Sequence, residues 1–163
     1  MIDEIQIQNW LADEGMFRQR IHDDNNFHFL INFPQDNSMD IFQPKGRNDL
    51  LIIGCATQVS PMEQDIIHNS KKSKNQEFIW DLRFELNRMF LDFQLQHPND
   101  ELQSFLISDV IYEDGLSKNE LINTIKKVFK GKLQCIWLLG RTYGAEIASE
   151  KPMDVQNNDT MFM

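Results

Sequence analysis

Apolar residues along the chain recur first with a helical period and then with a strand period. Ile7, Trp10 and Leu11 stand at i, i+3 and i+4, which gives a helix over residues 3–14 one apolar stripe, and Gly15 suits the left-handed residue just past its end. Residues 16–22 and 27–33 flank Asp23-Asp24-Asn25-Asn26, whose side chains favour turns, so this stretch predicts an antiparallel hairpin. Phe27, Phe29, Ile31 and Phe33 share one face, with His28, Leu30 and Asn32 opposite, the pattern of a sheet covered on one side only. Residues 39–43 form a short third strand, ended by Pro44 and the turn Lys45-Gly46-Arg47-Asn48-Asp49. Residues 50–59 form a fourth, apolar on both faces through Leu50-Leu51-Ile52-Ile53 and therefore expected at the centre of the sheet. Short turns between consecutive strands imply a meander.

Ser60-Pro61-Met62-Glu63 combines an N-cap serine, a proline at the first helical position and a glutamate three residues after the cap, a strong helix start. No glycine or proline follows until Pro98, yet one continuous helix would be ~54 Å long, against a radius of gyration of ~15 Å. A break or exposed span is expected in the polar residues 68–77. Beyond it Phe78, Leu82, Leu86, Met89 and Phe93 keep helical spacing, widened by Ile79 and Phe90. Residues 102–112 return to strand character, and Asp114-Gly115 leads to a second capping box, Ser117-Lys118-Asn119-Glu120. Leu121, Ile125, Val128, Phe129, Ile136 and Trp137 then hold a helical period through Gly131, predicting a helix to residue 139. The alternative is a helix to residue 130 and a last strand over 133–139. The fold class is α+β: an antiparallel meander with helices packed on one face, in the order α-β-β-β-β-α-β-α. Residues 1–143 make one domain. Residues 144–163, polar and patternless, read as a mobile tail that holds Met153, Met161, Phe162 and Met163.

Size and charge narrow the partners. A chain of 163 residues buries roughly 70% of its unfolded surface and holds a core unaided. A net charge of -9 repels phosphate backbones and anionic lipid, so neither nucleic acid nor membrane is an expected partner. The densest basic run, Lys71-Lys72-Ser73-Lys74, reads as a solvated face. Met1-Ile2-Asp3-Glu4 is unlike a secretory signal, and no run approaches the ~20 apolar residues that span a bilayer. A cytoplasmic protein is expected, with Cys55 and Cys135 as buried free thiols and the sequon Asn158-Asp159-Thr160 a chance match.

Candidate chemistry is sparse. His22, His28, His68 and His97 stand in separate elements, with no pair at i+3 or i+4, so no metal site is expected. The carboxylate pairs Asp13-Glu14, Asp23-Asp24, Asp100-Glu101 and Glu113-Asp114 sit at element ends, where caps and turns want acids, rather than in a cleft that separates their pKa values. Asp109 is the exception, on a row with Ile107 and Ile111 that should be apolar. A bulge or strand end would turn it outward; otherwise it is a buried acid with a partner such as Arg83 or Arg88. Gly140-Arg141-Thr142-Tyr143-Gly144 follows a helix and opens none, unlike a nucleotide-binding turn. No catalytic residue and no cofactor is predicted.

The order of elements, with Trp10-Leu11-Ala12-Asp13-Glu14-Gly15, the 27–34 strand and Leu116-Ser117 opening the last helix, resembles the type III secretion chaperone-like fold, especially its YbjN-like relatives, and uncharacterised prokaryotic families of this length. The resemblance implies a curved antiparallel sheet backed by helices, pairing as homodimers, and a role in holding other polypeptides. A non-enzymatic protein-binding or chaperone-like module is therefore the expected function. The alternatives are an enzyme of unrecognised type, resting on convergence of Asp109 with His28, and a structural subunit of a larger assembly.

Overall fold

The computed structural model describes residues 1–148, and side chains as far as residue 144. The chain runs α1 (Glu4–Asp13), β1 (Phe17–Arg20), β2 (Phe27–Asn32), β3 (Ser38–Gln43), β4 (Leu50–Gln58), α2 (Pro61–His68), α3 (Lys72–Arg88), β5 (Asp92–Gln96), β6 (Ser104–Tyr112) and α4 (Lys118–Ala148). One six-stranded sheet has the order β1-β2-β3-β4-β6-β5, with every pair antiparallel. The α+β meander is thus present, with β4 inside the sheet between β3 and β6. The predicted caps form: Ser60 accepts from the Glu63 amide and donates to its Oε1 at 2.8 Å, while Ser117 Oγ accepts from the Glu120 amide.

Burial alternates along the strands. Phe27, Phe29, Ile31, Met39, Ile41, Leu51, Ile53, Cys55, Phe105, Ile107 and Ile111 point to one face, where they join Ile7, Leu11, Phe78, Leu82, Leu86, Leu121, Ile125, Val128 and Phe129 of the helices in a single core. All four helices cover this inner face. Among the described residues, the other face carries none.

Two local expectations change, and a third is met. The helical stripe does not continue through Met89 and Phe93: α3 stops at Arg88, and residues 92–96 form the edge strand β5. The stop is a Schellman motif, in which the Leu91 amide donates to Leu86 O and the Phe90 amide to Asn87 O, with Phe90 at φ 59. The break expected within 68–77 falls at residues 69–71. There the buried Asn75 donates to Ile67 O at 2.9 Å and accepts from Tyr143 Oη at 2.6 Å, which ties the α2–α3 corner to α4. Finally, α4 is one helix to Ala148, so the alternative strand over 133–139 is not formed and residues 144–148, expected in the tail, are helical. Gly131 explains the continuity, because a Cβ there would come within 2.5 Å of Leu91 Cδ1 and 3.2 Å of Ile107 Cγ2: the helix passes too close to the sheet for a side chain. Met153, Met161, Phe162, Met163 and the 158–160 sequon lie outside the described residues. Among those described, no helix is long and apolar enough to cross a membrane.

Candidate functional site

Two surfaces stand out, one on each side of the molecule. The uncovered face of the sheet displays a row that crosses four strands, His28 beside Phe42, Phe42 beside Ile52, and Ile52 beside Val110. Leu30, Leu106 and Tyr112 extend it, with Leu106 37% and Tyr112 54% exposed. Toward the β5 edge the face becomes a shallow depression lined by Gln58, Gln94, Gln96 and Ser104 together with Ala56, Phe105 and Leu106. Among the described residues no helix packs on this row of partly exposed aliphatic and aromatic side chains.

His28 closes one end of that row. Its Nδ1 faces Asp23 Oδ2 and its Nε2 faces Asp40 Oδ1, both at 2.6 Å, and its ring lies 5.6 Å from that of Phe42. Ionised carboxylates only accept hydrogen bonds, so both contacts are satisfied together by the imidazolium form. Partial burial opposes that charge, but the hydrogen bonds to Asp23 and Asp40 outweigh it and raise the His28 pKa. Asp23 is correspondingly lowered, chiefly by His28.

The second surface lies on the helices. Trp80 and Phe84, 54% and 60% exposed, stack at 5.8 Å along the outside of α3, with the Arg83 guanidinium 4.6 Å above the Trp80 ring. Trp137 on α4 is 42% exposed, one residue before Leu138 and four before Arg141, which line the groove between the two helices with Asp81, Phe84, Glu85 and Arg88.

The residues singled out from sequence are dispersed. Asp109 sits in a regular β4–β6 register opposite Ile53, so no bulge turns it outward. It faces α4 and binds Lys127 Nζ at 2.8 Å, a partner supplied by α4 rather than Arg83 or Arg88 of α3. Because Asp109 is on the inner face and His28 on the outer, the convergence required by the enzymatic alternative does not occur. His68 Nδ1 contacts Glu101 at 2.8 Å, His97 meets Arg83 and His22 meets Arg20, each in a different place. Among the described residues no group of three or more His, Cys, Asp or Glu side chains could hold a metal ion. Cys55 and Cys135 are free and buried. Burial pushes the Cys55 thiol up, and burial together with the neighbouring Cys55 takes Cys135 up to about 12, so both stay protonated at neutral pH. The acidic pairs do sit at element ends: Glu14 meets Lys118 at the end of α1, Asp23 accepts from the Asn25 amide in the β1–β2 turn, and Glu113 meets the N-terminal ammonium just past β6.

The outer row and the helix groove both went unread in the sequence. For the row, the signal was the apolar character of β4 on both faces, which burial at the sheet centre explained equally well. For the groove it was Trp80 and Phe84, four residues apart and off the core stripe of α3.

A family model described as an uncharacterised conserved protein, DUF2299, matches residues 3–139. The chain belongs to the DUF2299 family. Among solved structures, it is similar to an uncharacterised protein from Methanothermobacter thermautotrophicus, at 45% identity over 87% of this DUF2299 chain and 99% of that one, with a TM-score of 0.85. It is also similar to YbjN, a putative transcription regulator from E. coli, at 12% identity over 82% of this chain and 90% of that one; a TM-score of 0.49 is too low for that similarity to carry functional weight. No curated protein matches the chain.

Proposed function

We propose that this DUF2299 chain is a non-enzymatic, cytoplasmic polypeptide-binding module of chaperone-like type that works as a homodimer and grips a partner's apolar side chains on the open face of its sheet. The observation that carries the reading is the row Phe42, Ile52 and Val110, continued by Leu30, Leu106 and Tyr112, with no element packed on it among the described residues. Covering a partly exposed aliphatic or aromatic side chain gains about 1 kcal/mol or less, so six such positions together supply the core of a transient interface. The acidic ensemble, at -9, favours polypeptide over nucleic acid or anionic lipid.

The test is affinity purification from the native source with mass spectrometry, run in parallel on the natural chain and on Val110→Lys. A defined set of polypeptides retained by the first and lost by the second supports the reading. Equal retention by both, or a strict monomer in light scattering with nothing retained, overturns it.

A further inference from the structure

Asp81, Phe84, Glu85 and Arg88 follow at i, i+3, i+4 and i+7 and make one stripe along α3, with Leu138 and Arg141 of α4 across the groove from it. Beside the stripe and outside the groove, Trp80 stacks on Phe84 and stands in solvent. We propose that two copies of the chain pair through this face, α3 against α3, antiparallel about a two-fold axis that passes between Phe84 and Glu85. This pairing rests on the homodimer of the proposed function and gives it a surface apart from the open face of the sheet.

The order of side chains along the stripe favours a second copy. A two-fold interface must be complementary to itself, because whatever residue i meets on the other copy, it is met by in return. The stripe runs acid, aromatic, acid, base from its start to its end. Antiparallel pairing about its midpoint sets Asp81 of each copy opposite Arg88 of the other and brings both Phe84 rings to the axis. Arg88 holds Glu85 of its own helix at 3.4 Å, an exposed pair that leaves other donors of the guanidinium for a second carboxylate. Asp81 has no ion pair among the described residues and is the carboxylate this symmetry supplies.

Net charge and area point the same way. At -9 per chain, two copies repel each other in general, so they can meet only where the local charge balances. Here Asp81 and Glu85 stand with Arg88 and Arg141, and the exposed Glu77 with Arg83, which lies over Trp80, so the face is locally neutral. The same mixture of signs gives a strongly acidic or strongly basic partner nothing to prefer. Trp80, Phe84 and Trp137, at 54%, 60% and 42% exposure, together offer about 300 Å² of aromatic surface per copy. That is roughly two-fifths of the ~800 Å² each partner gives to a stable interface, and the charged residues around it form the polar rim that such interfaces carry.

Sedimentation equilibrium over a range of concentrations reads the dimer in the full chain and in variants on the outside of α3, each first matched to the natural chain by circular dichroism. Phe84→Glu, Asp81→Arg and Arg88→Asp should each raise the dimer Kd about tenfold or more, since a two-fold axis repeats every change. An equimolar mixture of the Asp81→Arg chain with the Arg88→Asp chain should regain the dimer, because an arginine then faces an aspartate at both ends of the helix pair. The double variant that carries both changes in one chain should regain it for the same reason. Val110→Lys, on the open face of the sheet, should leave the Kd unchanged. A dimer untouched by all three single changes, or one that mixing fails to restore, overturns the pairing through α3 and leaves the homodimer of the proposed function standing. A natural chain that stays a monomer throughout overturns both.

Discussion

His28 is the residue whose environment most plainly couples charge to structure. Its folded pKa lies above the ordinary 6.5 because two carboxylates hold the charged ring. The stability it adds is therefore complete below about pH 6 and is lost as pH climbs through the folded value. Asp23 works in the opposite sense: lowered from 3.8, it adds stability that fails only as pH falls through its folded value. His28→Ala should thus lower Tm markedly at pH 5.5 and much less at pH 8.5. Thermal unfolding followed by circular dichroism at the two pH values checks this; an equal loss at both would show that the ring serves only by packing on Phe42. Asp109 and Lys127 make a different point about charge. Taking away one partner leaves an acid facing the core, whereas replacing both restores an apolar row with Ile107 and Ile111. Lys127→Met is expected to cost about 1–2 kcal/mol by urea denaturation, and Asp109→Leu with Lys127→Met to cost nothing or to stabilise.

At the scale of elements, the close passage of α4 over β6 is set by a missing side chain. Gly131→Val would drive its side chain into Leu91 and Ile107, and overpacking of this kind costs about 1–3 kcal/mol despite the better helix propensity of valine over glycine. Guanidinium denaturation should show that loss with an unchanged slope. The same helix is pinned further along by Tyr143, which burial takes up to about 12 and which stays a neutral donor to Asn75; Tyr143→Phe orphans the Asn75 oxygen and should cost about 1–2 kcal/mol by the same measurement. These two contacts also show what the sequence could and could not convey. The end of α1 was legible because glycine occupies the left-handed position of its Schellman motif, with Gly15 at φ 68. The end of α3 uses the same motif with Phe90 in that position, so the stop signal was absent and only the alternation Asp92, Phe93, Gln94, Leu95, Gln96 betrayed β5. Gly131 leaves open an end to the last helix near residue 130 because a glycine's usual message is a break, whereas here it answers to neighbours far away in sequence. Caps, turns and core stripes are local and were readable. The partner of Asp109, the exposed groove and the open sheet face depend on what another element does or does not cover, and no local pattern states that.

For the whole molecule, the decisive contrast is between two faces of one sheet at adjacent positions of one strand. Val110 and Ile111 follow each other in β6, yet Ile111 is buried against the helices and Val110 stands partly exposed in the row that begins at His28. A lysine at either site changes the net charge from -9 to -8, so added acidic repulsion cannot account for any difference between them. Ile111→Lys places an unpaired ammonium in the core and should unfold the protein or cost more than about 4 kcal/mol. Val110→Lys puts the same group in water and should leave stability within about 1 kcal/mol of the natural chain, with the same unfolding slope. If the outer row exists to be covered by another polypeptide, only the second variant separates folding from binding: its melting curve overlays that of the natural chain while the retained polypeptides disappear. A Val110→Lys chain that melts normally and still retains the same set would mean that the sheet's apolar outer row is ordinary surface, and the contact would then have to be sought elsewhere on the molecule.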